Sequence, residues 1–314
     1  MGSPNLEILK TFDSDHLPNL DVVVLGALEL FKEETLPEIK LERYARPLVV
    51  GSGNAEATGK IIFKDQDAVF ASESTYEEKL KHIKDIDGVV LVSASGGKHA
   101  PIIAKCSKEY GKHITLITNT DDSKTDSLLD HEYTYDKYVF PKNREPYTYN
   151  TSTYMGMILG FTREDPQAIY DFIQETVAAM DFPDFSKHDK FYLIVPPQFF
   201  GIIRMLHVKF IELFGRRVAR DVETSEYVKH ATTVVPSDEF FISFGEENSK
   251  WGDPDKRLTV PLPDTGDYGA MMAISYYTIA QIQKQHPPYF KENIVRYTET
   301  ISKIFGEEIN PIVE

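Results

Sequence analysis

The sequence holds a single cysteine, Cys106, which excludes an intramolecular disulfide and any CxxC redox or metal motif. Cationic residues are also scarce. Against 49 Asp and Glu stand 34 Lys and Arg, a formal charge of −15. That balance argues against non-specific nucleic-acid binding, which rests on neutralising phosphates, and no basic DNA-binding segment is visible. No run of about 18 apolar residues occurs, so no stretch reads as a membrane-spanning helix. Low-complexity tracts are missing. The opening Met1-Gly2-Ser3-Pro4 reads neither as a signal peptide nor as a myristoylation pattern. These absences together lead us to expect a soluble, cytoplasmic protein without nucleic-acid or membrane partners. An anionic ligand would be repelled by the whole-molecule field and must be captured by local donors.

The most informative stretch that is present is Val89-Val90-Leu91-Val92-Ser93-Ala94-Ser95-Gly96-Gly97-Lys98. Val89 to Val92 do not alternate in polarity and suit a strand covered on both faces. Past His99-Ala100-Pro101, the residues Ile102, Ile103, Cys106 and Tyr110 recur at helical spacing, with Pro101 tolerated in a first turn. Gly96 and Gly97 let backbone approach a ligand, Ser93 and Ser95 offer hydroxyls, and the helix start adds N–H groups and partial positive charge. Such a turn suits a phosphate; a plain βα turn that needs its glycines is the alternative reading. Cys106, on the apolar helix face, reads as a structural thiol.

The same rhythm extends along the chain. Residues 1–45 read as a helical lead-in with an apolar stretch from Val22 to Phe31. Pro47 to Val50, Ala68 to Ala71, Val89 to Val92, Ile114 to Thr118 and Tyr138 to Phe140 read as strands between helical segments. A junction at Glu164-Asp165-Pro166 is followed by a helix expected over Gln167–Met180 and by strands at Phe191 to Val195, Glu239 to Phe244 and Leu258 to Val260. Long helices are expected at Ile202–Phe214, after Gly269, and from Phe290 to Phe305. Alternation of this kind predicts parallel sheets flanked by helices, with 46–165 and 166–314 as two α/β units in series.

On four short stretches the chain resembles the sugar isomerase (SIS) domain family, in a double-SIS arrangement similar to that of bifunctional phosphoglucose/phosphomannose isomerases. Gly51-Ser52-Gly53-Asn54-Ala55 stands where the family has a Gly-x-Gly-Ser-Ser-like turn. Ser93 to Lys98 occupies the place of its Ser-x-Ser-Gly-x-Thr phosphate loop. Thr118-Asn119 and Thr151-Ser152-Thr153 match further short motifs. Asn54 and Ala55 depart from the usual hydroxyl pair, Lys98 replaces threonine, and Tyr154 stands where many relatives carry lysine. The resemblance implies a phosphosugar ligand held by Gly53, Asn54, Ser93, Ser95, Gly96, Lys98, Thr151, Ser152 and Thr153. It also implies a homodimer and, in many members, aldose–ketose isomerisation through an enediol without metal or other cofactor.

That chemistry needs a carboxylate to carry a proton between C1 and C2 and a second group to open the ring. By resemblance the base falls in Val222 to His230, with Glu226 as the candidate and Glu223 as its fallback. Were this segment helical, Glu226 and His230 would share one face. His99, His207 and His286 compete with His230 for ring opening, and Lys284 or Lys291 could supply a general acid. A fructosamine-phosphate deglycase or aminosugar-phosphate deaminase would use the same parts, and a non-catalytic phosphosugar-binding protein would keep only the turn. A fused glutaminase is not expected, for want of an N-terminal cysteine and a further domain.

Overall fold

The computed structural model describes residues 3–129, 133–230, 235–286 and 289–314. Two helices, α1 (Pro4–Thr11) and α2 (Leu20–Glu33), come first. Then follow β1 (Pro47–Val50), α3 (Asn54–Ile62), β2 (Val69–Ala71), α4 (Tyr76–His82), β3 (Gly88–Val92), α5 (His99–Glu109), β4 (His113–Thr118), α6 (Lys124–Leu128) and β5 (Tyr135–Val139). The two-residue β6 (Glu145–Pro146) precedes α7 (Thr151–Thr162) and α8 (Pro166–Phe172). A second alternation comprises β7 (Lys190–Val195), α9 (Ile203–Phe214), β8 (Ala219–Thr224), β9 (Phe240–Phe244), β10 (Arg257–Val260) and α10 (Tyr268–Gln285). The chain continues through α11 (Tyr289–Phe305) to β11 (Ile312–Val313). Among the described residues no helix is long and apolar enough to cross a membrane.

Two compact units result, and the chain passes between them more than once. One comprises Glu34–Lys142 and Thr153–Arg163; the other comprises Met1–Glu33, Asn143–Ser152 and Glu164–Glu314. In the first, five parallel strands run in the order β2-β1-β3-β4-β5. Alternate side chains leave β1 on opposite faces, as the strand period demands. Leu48 and Val50 join Leu91, Leu116 and residues of α4 and α5. Val49 instead joins Val90, Val92, Ile117, Ala55 and Ile62 of α3, and Met157 of α7. Each such aliphatic side chain contributes about 1.5–3 kcal/mol on burial.

Four parallel strands of the other unit run β10-β9-β7-β8. Phe185, Phe191, Phe210 and Phe240 interlock in its core, Phe185 meeting Phe240 edge-on with centroids 5.5 Å apart. Helix α10 is buried along most of its length. The antiparallel pair β6–β11 ties residues 145–146 to the C-terminal segment.

Several expectations shift. On α5 the inward residues are Ala100, Ile103, Ala104 and Ser107, whereas Ile102 is 62% exposed; the helix is turned by about one residue relative to the sequence pattern. Cys106 is half-buried against the same core, and burial pushes its thiol up. The helix expected over Gln167–Met180 gives way after Phe172 to a π-type turn over Ile173–Val177. Val222 to His230 is not one helix: Val222, Glu223 and Thr224 end β8, and only Val228–His230 make a single helical turn.

Candidate functional site

In the order β2-β1-β3-β4-β5 the chain leaves β1 toward one edge of the sheet and β3 toward the other. Helices α3 and α5 consequently pack on opposite faces, and their N-termini part above the carboxyl ends of β1 and β3. Open parallel sheets bind ligands in the crevice at such a switch point. The two glycine-rich turns found in the sequence are the segments that line it.

After β1, Gly51 folds close against α3: a Cβ there would lie 2.6 Å from the backbone of Ala55 and Glu56. Gly53 follows at φ +58° and ψ −119°, with nothing within 4 Å of where a Cβ would be. After β3, Lys98 adopts nearly the same conformation, φ +46° and ψ −104°. Both residues are N-caps, and neither side chain caps its helix. Elsewhere the chain supplies carboxylates for this purpose. Glu29 accepts from Leu6 N at the start of α1 at 2.7 Å, and Glu164 accepts from the backbone of Asp267, Gly269 and Ala270 around the start of α10 at 2.7–2.9 Å. At α3 and α5 the first-turn N–H groups and their partial positive charge thus face the crevice without a capping side chain.

The turn after β3 is braced from beneath. The carbonyl of Ala94 accepts from Thr118 Oγ1 at 3.0 Å, Asn119 N at 2.9 Å and Thr120 Oγ1 at 3.3 Å. The Gly96 carbonyl accepts from Thr125 N at 3.1 Å and Thr125 Oγ1 at 2.6 Å. Gly96 has φ +55°, and a Cβ on it would fall 2.5 Å from the Cβ and Oγ of Ser123, the residue whose capping box with Asp126 starts α6. Thr118-Asn119 therefore acts through the turn it supports. Ser93 is half-buried and Ser95 exposed; Ser95 Oγ accepts from Gly97 N at 3.2 Å. Two carboxamide oxygens nearby, Asn54 Oδ1 and Asn119 Oδ1, are buried with no hydrogen-bond partner among the described residues. An unpaired buried acceptor costs about 1–3 kcal/mol, which a ligand hydroxyl would offset.

Lys98 is strained, because a side-chain-bearing residue rarely takes positive φ, and a β-branched one still less. Such conformations cost about 1–3 kcal/mol, against about 0.5–1 kcal/mol for the greater freedom glycine has in the unfolded chain. Lys98→Gly is expected to raise the melting temperature by a few degrees. Scanning calorimetry checks this, and a lowered Tm would show that the side chain itself holds the turn.

The Thr151-Ser152-Thr153 stretch differs from its expected role. Thr151 and Ser152 are fully buried, and Thr153 nearly so. The backbone N–H groups of Thr151 and Ser152 each donate to the Glu145 carboxylate at 2.6 Å, and the Ser152 hydroxyl donates to the same carboxylate. An internal carboxylate thus fills the anion position at the start of α7. Complete burial raises Glu145 above the ordinary carboxylate range, against the pull of those donors and of Lys209.

Glu226 and His230 are both exposed, in and after the turn that follows β8. Glu223, within β8, is half-buried. His99 is the first residue of α5, directly beside the Ser93–Lys98 turn, and exposed. His286 bonds the Phe185 carbonyl and meets Phe191 edge-on, a packing role. His207 is lowered by burial and lies 3.9 Å from Asp221. Lys284 and Lys291 line one cavity with Asn19 and Gln283; Lys284 pairs with Asp21 at 2.5 Å, and burial lowers Lys291.

No family model and no curated protein matches the sequence. Solved structures do share its fold. Glucosamine-6-phosphate deaminase from Thermotoga maritima superposes with a TM-score of 0.59 at 13% identity, over 85% of this chain and 92% of that one. The C-terminal domain of glucosamine-fructose-6-phosphate aminotransferase from Francisella tularensis gives 0.58 at 12%, over 89% and 91%. Tagatose-6-phosphate ketose/aldose isomerase from Escherichia coli gives 0.57 at 13%, over 83% and 86%. At such identities the likeness is one of fold: two α/β units, each a parallel sheet flanked by helices.

Proposed function

We propose that the protein binds a phosphorylated sugar at the carboxyl edge of the five-stranded sheet and interconverts its aldose and ketose forms. The observation that carries this reading is the pair of helix N-termini, α3 and α5, left without side-chain caps at the switch point. Backbone N–H groups at a helix start suit a phosphate, and the Ser93 and Ser95 hydroxyls with the exposed Lys98 add donors. Asn54 and Asn119 offer acceptors to sugar hydroxyls. Thr151 and Ser152 are left out of the phosphate set, because Glu145 already takes their donors. The fold shared with a ketose/aldose isomerase supports the same class of reaction.

In the reaction a carboxylate takes the proton from C2 of the open-chain aldose as the C1 carbonyl oxygen is protonated, giving an enediol. The O2 proton then leaves, the C2 carbonyl forms, and the carboxylate returns its proton to C1. Glu226 is the base proposed, with His99 beside the phosphate turn and His230 as candidates for ring opening. A homodimer is part of the proposal, checked by light scattering.

Coupled turnover of fructose 6-phosphate and mannose 6-phosphate tests the reading. Glu226→Gln is expected to lower kcat about 100-fold or more with phosphosugar affinity little changed. Ser95→Asp, which sets a negative charge in the turn, is expected to abolish binding. If wild type and Glu226→Gln bind phosphosugar and both remain silent, the isomerase reading fails and a non-catalytic binder stands. Release of ammonia from glucosamine 6-phosphate would favour a deaminase, a reading supported by the shared fold of such an enzyme.

A further inference from the structure

The four-stranded sheet has a switch point of its own, between β7 and β9, and a crevice of about 280 Å³ lies at its carboxyl edge. That volume is close to the lower end of the roughly 300–1,000 Å³ usual for small-molecule sites. Ile194 and Ser243, partners in the β7–β9 register, line it together with Ser225, Glu246, Glu247 and Trp251.

Trp251 is the only tryptophan in the sequence, and its position is fixed from several sides. The Asn248 carboxamide accepts from Lys250 N at 3.2 Å and Trp251 N at 2.9 Å, and donates to the Trp251 carbonyl at 2.9 Å. Arg257 Nε donates to the same carbonyl at 2.8 Å. Gly252 follows at φ +72°, where a Cβ would lie 2.3 Å from the Phe241 ring. Phe241 in turn stacks on Tyr192 at 5.2 Å, and Trp251 packs on this cluster. On the flanking strands, the Tyr192 hydroxyl and Thr224 Oγ1 are buried without a hydrogen-bond partner among the described residues. A half-buried indole held this way forms one wall of a crevice whose other sides carry hydroxyls, the Asn248 carboxamide, two carboxylates and one cation, Lys250.

We propose that this crevice is a second binding site, for a sugar ring that carries an amino group and no phosphate. The apolar C–H face of the ring lies against Trp251, Ser225 serves the ring hydroxyls, and Glu246 and Glu247 hold the ammonium, which the indole face also attracts. A phosphate in the same place would meet two carboxylates against the single cation Lys250. The inference stands apart from the function proposed for the five-stranded sheet and does not depend on it.

Because Trp251 is the only indole, its fluorescence reports this crevice directly. Titration with glucosamine is expected to shift the emission saturably, with affinity about tenfold or more above that for glucose or glucose 6-phosphate, a difference of about 1.4 kcal/mol. The double variant E246Q/E247Q changes only exposed side chains and is expected to abolish the preference for glucosamine over glucose. Ser95→Asp, at the other sheet, is expected to leave the titration unchanged. The proposal is overturned by the absence of a saturable Trp251 signal, by equal affinity for glucosamine and glucose, or by a signal that disappears in Ser95→Asp.

Discussion

Replacing Glu145 with alanine is expected to destabilise its unit by about 3–5 kcal/mol, the cost of breaking a buried, hydrogen-bonded charge network. For a unit of this size that is a fall in melting temperature of about 10 °C or more, read by scanning calorimetry or by circular dichroism. The carboxylate accepts from Thr151 N, Ser152 N and the Ser152 hydroxyl, and Ser152 Oγ also accepts from Asn143 N at 2.8 Å. Without the carboxylate, the donors at the start of α7 lose their partner out of reach of water, and a stranded donor costs about 1–3 kcal/mol. The loss spreads further through charge. Lys209, wholly buried, donates to the Thr148 and Tyr149 carbonyls and to Glu212 Oε2 at 2.8 Å. Its charge helps to offset that of Glu145. Glu145→Gln is expected to fall between wild type and alanine, since one amide oxygen can still accept while the amide NH₂ confronts a donor. A melting temperature for Glu145→Ala within about 2 °C of wild type would mean that water or another group replaces the carboxylate and that the network is not structural.

This carboxylate also marks the limit of what the sequence discloses. The strands at 47–50, 89–92 and 114–118 were legible because strands buried on both faces read as unbroken apolar runs. The turns between them were legible because glycine and hydroxyl residues cluster where backbone must bend and approach. Thr151-Ser152-Thr153 opens a helix as expected, yet nothing local reveals that its donors are already satisfied by a residue on β6, whose partner strand β11 lies about half the chain away in sequence. Strand β8 was hidden for a different reason. Its sequence, Ala219-Arg220-Asp221-Val222-Glu223-Thr224, is largely polar and exposed at a sheet edge, so it lacks the apolar signal of its neighbours. The phase error on α5 has a third origin: Ala100, Ala104 and Ser107 face the core because the helix lies close on β3 and β4, and small residues carry little weight in a hydrophobic pattern.

For the turn itself, the decisive contrast is between two glycines with the same sign of φ. Gly96→Ala is expected to cost about 3 kcal/mol or more, and Gly53→Ala about 1–3 kcal/mol, the cost of holding a residue with a Cβ in a sparsely populated positive-φ conformation. Gly53 has open space where its Cβ would stand, so conformation is its whole cost. At Gly96 the same penalty is joined by a clash at 2.5 Å with Ser123 Cβ and Oγ. Relief would require moving the capping box of α6 or the carbonyl that Thr125 grips, and overpacking of this kind adds about 1–3 kcal/mol. Displacing Gly96 also tilts the start of α5, so phosphosugar affinity measured by calorimetry is expected to fall at least tenfold in Gly96→Ala. Gly53→Ala, with its backbone path kept, should retain most of it. Equal losses of stability in the two variants would show that Ser123 yields freely. In that case the bracket formed by β4 and α6 does not set the shape of the Ser93–Lys98 turn.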